Sequence, residues 1–114
     1  MSDVPFLPAA EAEFLESMVR YEAARLGLGG EFLAEVERAV RRITFFPKHG
    51  SPYLGGTRRV VLRRFPYSVV YWPDPDDLLI VAIAHHRRSP GYWRNRLPAT
   101  SPPADEGDAG ATDR

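Results

Sequence analysis

Residues 58–96 read RRVVLRRFPYSVVYWPDPDDLLIVAIAHHRRSPGYWRNR, and their pattern of β-rich runs and turn residues sets the architecture. Three strands are expected, at about 58–65, 67–72 and 78–85. Phe65-Pro66-Tyr67 bends the chain between the first two. Pro73-Asp74-Pro75-Asp76-Asp77 is a hairpin turn made of residues that favour turns. LLIVAIA (78–84) is continuously apolar, as a strand covered on both faces would be. At Ala84 the character changes abruptly to a basic, aromatic run: His85, His86, Arg87, Arg88, Tyr92, Trp93, Arg94 and Arg96. Clustered arginines and aromatics at the end of an apolar strand place cationic, stackable groups at the edge of a rigid sheet.

Upstream, residues 4–7 suit a short first strand, which Pro5 confines to a sheet edge. Pro8 fits the first turn of a helix, where its missing N–H costs nothing. Phe14, Met18 and Tyr21 then recur at helical spacing, with Leu15, Val19 and Leu26 extending that face. Gly27, Gly29 and Gly30 break the helix. A second helix follows with Phe32, Val36, Val40 and Ile43 inward, and Glu35, Glu37, Arg38, Arg41 and Arg42 largely outward; Pro47 and Gly50 stop it. Residues 48–57 read as a loop, and Tyr92 to Leu97 as a short last helix. The order is β-α-α-β-β-β with a C-terminal helical turn. It predicts an α+β domain, with a helix hairpin packed on a mostly antiparallel sheet, over residues 1–97. Residues 98–114, rich in Pro, Ala, Gly and Asp, are expected to be a disordered acidic tail.

The formal net charge is zero, but its distribution is uneven. Residues 1–57 carry six Lys/Arg against eight Asp/Glu (−2), residues 58–98 eight against three (+5), and residues 99–114 one against four (−3). Fourteen of the fifteen basic residues are arginine, the side chain suited to bidentate contact with phosphate or carboxylate. The absence of cysteine excludes disulfides and thiolate metal sites and fits a reducing compartment. No apolar run approaches the ~18–20 residues of a membrane span, and the N-terminus lacks signal-peptide character. A cytoplasmic protein is expected.

The arginines at 58, 59, 63, 64, 87, 88, 94 and 96 have two readings. They form a solvated rim that discourages strand-to-strand aggregation, or a patch for an anionic partner. His85 and His86 end a strand on opposite faces; either is a general acid–base candidate or a rim histidine bonded to backbone. Tyr92 and Trp93 stack on a base or dock the last helix onto the sheet. Three histidines without matching acidic ligands give no metal site, and no cofactor motif is present.

FLPAAEAEF (6–14), Phe46-Pro47, RRFPYSVVY (63–71) and AHHRRSPGYWRNR (84–96) together resemble the RelE/ParE toxins of bacterial type II toxin–antitoxin systems, over about residues 4–97. The resemblance implies a growth-arresting toxin, neutralised by a cognate antitoxin and serving plasmid or chromosomal stabilisation. A ParE-like toxin inhibits DNA gyrase by binding it. A RelE-like toxin is a metal-independent endoribonuclease that cuts mRNA on the ribosome, and Arg59, Arg88, Tyr92 and His86 would then form its catalytic set. That branch places basic residues where this chain has Val61 and Ser68, so the ParE-like reading is preferred. An inactive antitoxin-binding module is the third alternative. Arg63, Arg64, Arg87, Arg88, Trp93 and Arg94 are the residues expected to bind a partner.

Overall fold

Pro8 opens the first helix, α1 (Pro8–Ala24), and Glu11 stands in its first turn, where the helix dipole favours a negative charge. The computed structural model describes residues 4–97; the expected disordered tail at 98–114 lies outside them. Gly27, at φ 89°, reverses the chain into the second helix, α2 (Leu28–Phe45). Gly29 and Gly30, expected to lie in the break, instead fill the first turn of α2. The reason is local: the Glu22 carboxylate accepts the backbone N–H groups of Gly27 and Gly29, both at 2.9 Å. This satisfies donors that a helix start leaves without partners. Gly29 is also where the hairpin closes most tightly, since a Cβ there would stand 2.6 Å from the Met18 carbonyl oxygen.

Phe14, Met18 and Tyr21 face the core as expected, beside buried Ala10 and Ser17. Leu15, Val19 and Leu26 do not: they are 47%, 66% and 89% exposed. Leu15 and Val19 each follow an inward residue by one position, which turns them about 100° away around the helix. Leu26 has left the helix altogether. On α2, Phe32, Val36, Val40 and Ile43 are buried as expected, but Glu35, expected outward, is buried too. Its carboxylate accepts the N–H groups of Arg63 (2.8 Å) and Arg64 (3.1 Å) and the Arg64 Nε (3.2 Å).

That carboxylate explains a shortened strand. The sheet is antiparallel in the order β1 (Ser51–Pro52), β2 (Arg58–Val61), β3 (Tyr67–Trp72), β4 (Leu79–His85). The strand expected over 58–65 ends at Val61, because the next amides turn to Glu35 while Leu62 N bonds Tyr67 O across the bend. The two-residue β1 lies in the segment read as loop. The Tyr71 hydroxyl fixes its approach, accepting Gly50 N at 2.9 Å and donating to Pro47 O at 2.7 Å. The first strand expected at 4–7 is reduced to one parallel bridge, Phe6 to Ile80. The last helix is a 3₁₀ turn, Arg94–Arg96. The turn after β3 forms as read, with Asp77 N bonded to Asp74 O and Asp76 N to Asp74 Oδ1.

β3 and β4 are buried on both faces, as the apolar run suggests. One face packs Tyr67, Val69, Ile80 and Ile83 against α1 and α2. There Phe32 lies 5.0 Å from Tyr67 and 5.2 Å from Phe65, ring centre to ring centre. The other face packs Val70, Val81 and Ala82 beneath Trp93, with Tyr53, Leu54 and Leu97 around them. Among the described residues no helix is long and apolar enough to cross a membrane.

The two glycines at the start of α2 should respond oppositely to alanine. Gly29→Ala should destabilise by about 1–3 kcal/mol through overpacking against α1. Gly30→Ala, whose Cβ meets nothing within 4 Å, should stabilise by about 0.5–1 kcal/mol. Urea unfolding of the two variants checks both signs.

Candidate functional site

The sheet face away from the helices carries the candidate residues. Strand alternation puts Ser68 and Val70 of β3 on this face, and Arg59 of β2 registers with Val70. Beyond β4 the chain curls back in turns, with His86 N bonded to Pro66 O, Arg88 N to His85 O and Tyr92 N to Ser89 O. The curl closes a concavity of about 120 Å³ whose lining includes Tyr53, Arg59, Ser68, His86, Arg88 and Tyr92. The structure thus brings Arg59 of β2 together with His86, Arg88 and Tyr92 of the segment beyond β4 around one hollow.

Its chemistry is cationic. The Arg59 guanidinium lies 4.3 Å from the centre of the Tyr53 ring, and that of Arg88 lies 3.8 Å from the centre of the Tyr92 ring. Such stacking holds a guanidinium over the ring face without neutralising it. Among the described residues no carboxylate lines the hollow, so its lining is cationic and suits an anion. Ser68 Oγ and His86 Nε2 are 2.9 Å apart. His85 lies on the other face, edge-on to Tyr67 at 4.9 Å, matching the expected divergence of the two histidines. Burial lowers its pKa, with further lowering from Arg87, His86 and Arg20.

Tyr92 presents its ring to this hollow but commits its hydroxyl elsewhere. The phenol donates to Glu13 Oε2 at 2.7 Å. Glu13 also accepts Ile83 N at 3.0 Å and both terminal nitrogens of Arg96, at 3.1 and 2.8 Å. Arg96 in turn donates to Val81 O at 3.1 Å. Burial raises the Glu13 pKa, but the hydrogen bonds from Arg96, Tyr92 and Ile83 outweigh it and hold the carboxyl below its ordinary range. Burial and the bond to Glu13 push the Tyr92 phenol far above the ordinary tyrosine range.

The expected partner-binding residues divide. Arg63, Arg87 and Arg94 are exposed and form none of the ion pairs found among the described residues. Arg64 is exposed but sits 3.2 Å from both Glu31 and Glu35. Trp93, at 1% exposure, packs in the second core and also contributes to the lining of the hollow. Glu13 and Glu35 were not singled out by the sequence, because their partners lie 70 and 28 residues further on and leave no local pattern.

A model of the family described as the ParE toxin of the type II toxin–antitoxin system parDE matches residues 5–90. The chain belongs to that family and is the toxin half of a pair completed by a cognate antitoxin. The fold is similar to that of a solved structure described as the chromosomal ParDE toxin–antitoxin system from P. aeruginosa. The TM-score is 0.58 at 18% sequence identity, over 75% of this chain and 96% of that one. At that identity the likeness bears on the fold: two helices against an antiparallel sheet. No curated protein matches the sequence.

The Glu13 cluster makes two outcomes measurable. Glu13→Ala, which strands Arg96 at 19% side-chain exposure, should cost about 3 kcal/mol in urea unfolding. Glu13 and Glu35 both have native pKa values below their unfolded ones. Their stabilisation is therefore complete above the ordinary carboxylate pKa of about 4.3 and is lost as pH falls through the depressed native values. Unfolding free energy measured against pH should drop in that acid range, and less steeply in Glu13→Gln.

Proposed function

We propose that this ParE-family toxin, acting through residues 1–97 in the cytoplasm, arrests growth by binding DNA gyrase and does not cut RNA. The observation that supports this most is the 2.7 Å bond from the Tyr92 hydroxyl to Glu13. An acid–base group needs a pKa near the working pH and a hydroxyl free to meet substrate; Tyr92 has neither. Among the described residues the hollow's lining brings two guanidinium groups to bear, those of Arg59 and Arg88. Val61 and Ser68 stand where a ribonuclease of the related RelE type would add charge. Metal-free phosphoryl transfer depends chiefly on such electrostatic stabilisation. By contrast, Arg63, Arg87 and Arg94 are exposed and unpaired among the described residues, and arginine is prominent among residues that dominate protein interfaces.

A second reading, ribosome-dependent mRNA cleavage, draws support from one feature. Ser68 and His86 are in hydrogen-bond contact within a cationic hollow, which would offer an imidazole as the acid or base. The two readings differ sharply in their dependence on Tyr92.

Purified protein should inhibit gyrase-driven DNA supercoiling and leave ribosome-bound mRNA intact. Tyr92→Phe should keep supercoiling inhibition within about twofold, whereas loss of an acid–base group from a ribonuclease costs about 10²–10⁴-fold. Arg88→Ala should raise the concentration for half-inhibition by about tenfold or more, as an interface arginine does. Codon-linked cleavage lost in Tyr92→Phe would reverse the assignment, and expression without growth arrest would leave only antitoxin binding.

A further inference from the structure

Two hollows adjoin at the C-terminal end of β4. One is the concavity on the sheet face away from the helices. The other, of about 320 Å³, lies on the helix side, and its lining includes Glu16, Arg20 and Arg87. His85, Arg88 and Tyr92 line both, so the chain beyond β4 forms a ridge with a depression on each side. Arg20, Arg59, Arg87 and Arg88 take part in no ion pair among the described residues. The second hollow has two carboxylates in its lining, Glu13 and Glu16, and Glu13 is committed to Ile83 N, Tyr92 and Arg96. Among the described residues four cations thus stand against one uncommitted carboxylate.

Three features narrow what this ridge can hold. The β4 edge offers no backbone to an added strand: Ile80 N bonds Pro5 O, Leu7 N bonds Ile80 O, Arg96 holds Val81 O and Glu13 holds Ile83 N. Nor do the large apolar side chains exposed among the described residues line either hollow, so the anchors on which a protein interface centres are missing. The aromatic rings are already covered. Tyr53 meets Arg59 at 4.3 Å and Trp93 at 5.8 Å, and Tyr92 meets Arg88 at 3.8 Å and Arg96 at 5.2 Å. Single-stranded nucleic acid is held by bases stacked on open aromatic faces, which this surface does not present. What remains is a ligand recognised by its negative charge alone, and the backbone of a duplex is one.

We infer that this ridge grips the sugar-phosphate backbone of the duplex DNA that gyrase holds. One phosphate enters the sheet-side hollow between Arg59 and Arg88, and a neighbouring phosphate meets Arg20 and Arg87 on the helix side. The sheet-side hollow, at about 120 Å³, is well below the about 300–1,000 Å³ of a pocket that encloses a drug-sized ligand; it suits a single phosphate group. Stacking on the two tyrosines holds the guanidinium groups of Arg59 and Arg88 in place before the ligand arrives, so less side-chain freedom is lost on binding. His85 accepts Arg87 N on Nδ1 at 3.0 Å, which leaves Nε2 as the donor of the neutral ring. Contacts of this kind position a protein on DNA without reading its sequence. The inference rests on the gyrase reading and deepens it, because it makes DNA part of what the toxin recognises.

The test measures binding of the full chain to a short duplex DNA, and to gyrase with and without that duplex. The logarithm of the duplex affinity should fall with the logarithm of salt concentration, by about 0.9 for each phosphate contacted. In R59A/R87A/R88A that slope should flatten by about 2 or more. In R38A/R42A, whose arginines line neither hollow, it should stay as in the wild type. Wild-type toxin should bind gyrase about tenfold or more tightly when DNA is present, and the triple variant should lose that gain. No affinity for the duplex, an unchanged slope in the triple variant, or equal binding to gyrase with and without DNA would overturn the inference, even with supercoiling inhibition intact. A single-stranded RNA bound more tightly than the duplex would also overturn it and put RNA in place of DNA. Supercoiling unaffected by the wild-type toxin would remove the gyrase reading, and the inference with it.

Discussion

β3 and β4 are apolar on both faces, so each face needs its own cover, and the rest of the molecule follows from that need. The helix hairpin covers one face. On the other face, among the described residues, the turns at 53–56 and 91–97 fold over the sheet around Trp93. These turns carry Tyr53 and Tyr92, whose rings meet the guanidinium groups of Arg59 and Arg88. The cationic hollow is therefore a by-product of covering a core: it forms where the second cover stops short of the β2 edge.

Glu13 ties the two covers together. From α1 it reaches the backbone of β4 and the side chains of Tyr92 and Arg96 beyond it. One carboxylate thereby positions the C-terminal turn, fixes the Tyr92 ring beneath Arg88, and occupies the phenol. Glu35 plays the matching part at the other end of the sheet, where it closes the turn after β2. Both are partly buried charges satisfied by several donors, the condition under which a buried carboxylate is tolerated. The same bonds that build the site also withhold its most obvious reactive group, which favours a surface that grips over one that cuts.

Much of the fold was legible because its signals are local. Pro8, the helical spacing of Phe32, Val36, Val40 and Ile43, the Pro-Asp turn and the unbroken apolar run at 78–84 each act within a few residues. What was missed depends mostly on partners outside the local pattern. Glu22, five and seven residues back, caps α2 and draws Gly29 and Gly30 into the helix, and Glu35, 28 residues away, ends β2 four residues early. Tyr71 made a strand out of a loop. The gathering of Arg59, His86, Arg88 and Tyr92 was foreshadowed by the family resemblance, but the direction of the Tyr92 hydroxyl was not. That direction depends on Glu13, 79 residues away. The burial of Trp93 over the sheet was one of the two readings its sequence context offered.

The central claim, that Tyr92 is a structural donor and the hollow a binding surface, is tested most directly by titrating the phenol itself. With ¹³C-labelled tyrosine and Tyr92→Phe for assignment, the Tyr92 ring-carbon resonance should show no ionisation as pH rises through about 10, where an ordinary tyrosine titrates. In Glu13→Gln the midpoint should move down toward that value. A Tyr92 resonance that titrates near neutrality in the intact protein, unaffected by Glu13, would contradict the account and return the residue to acid–base chemistry.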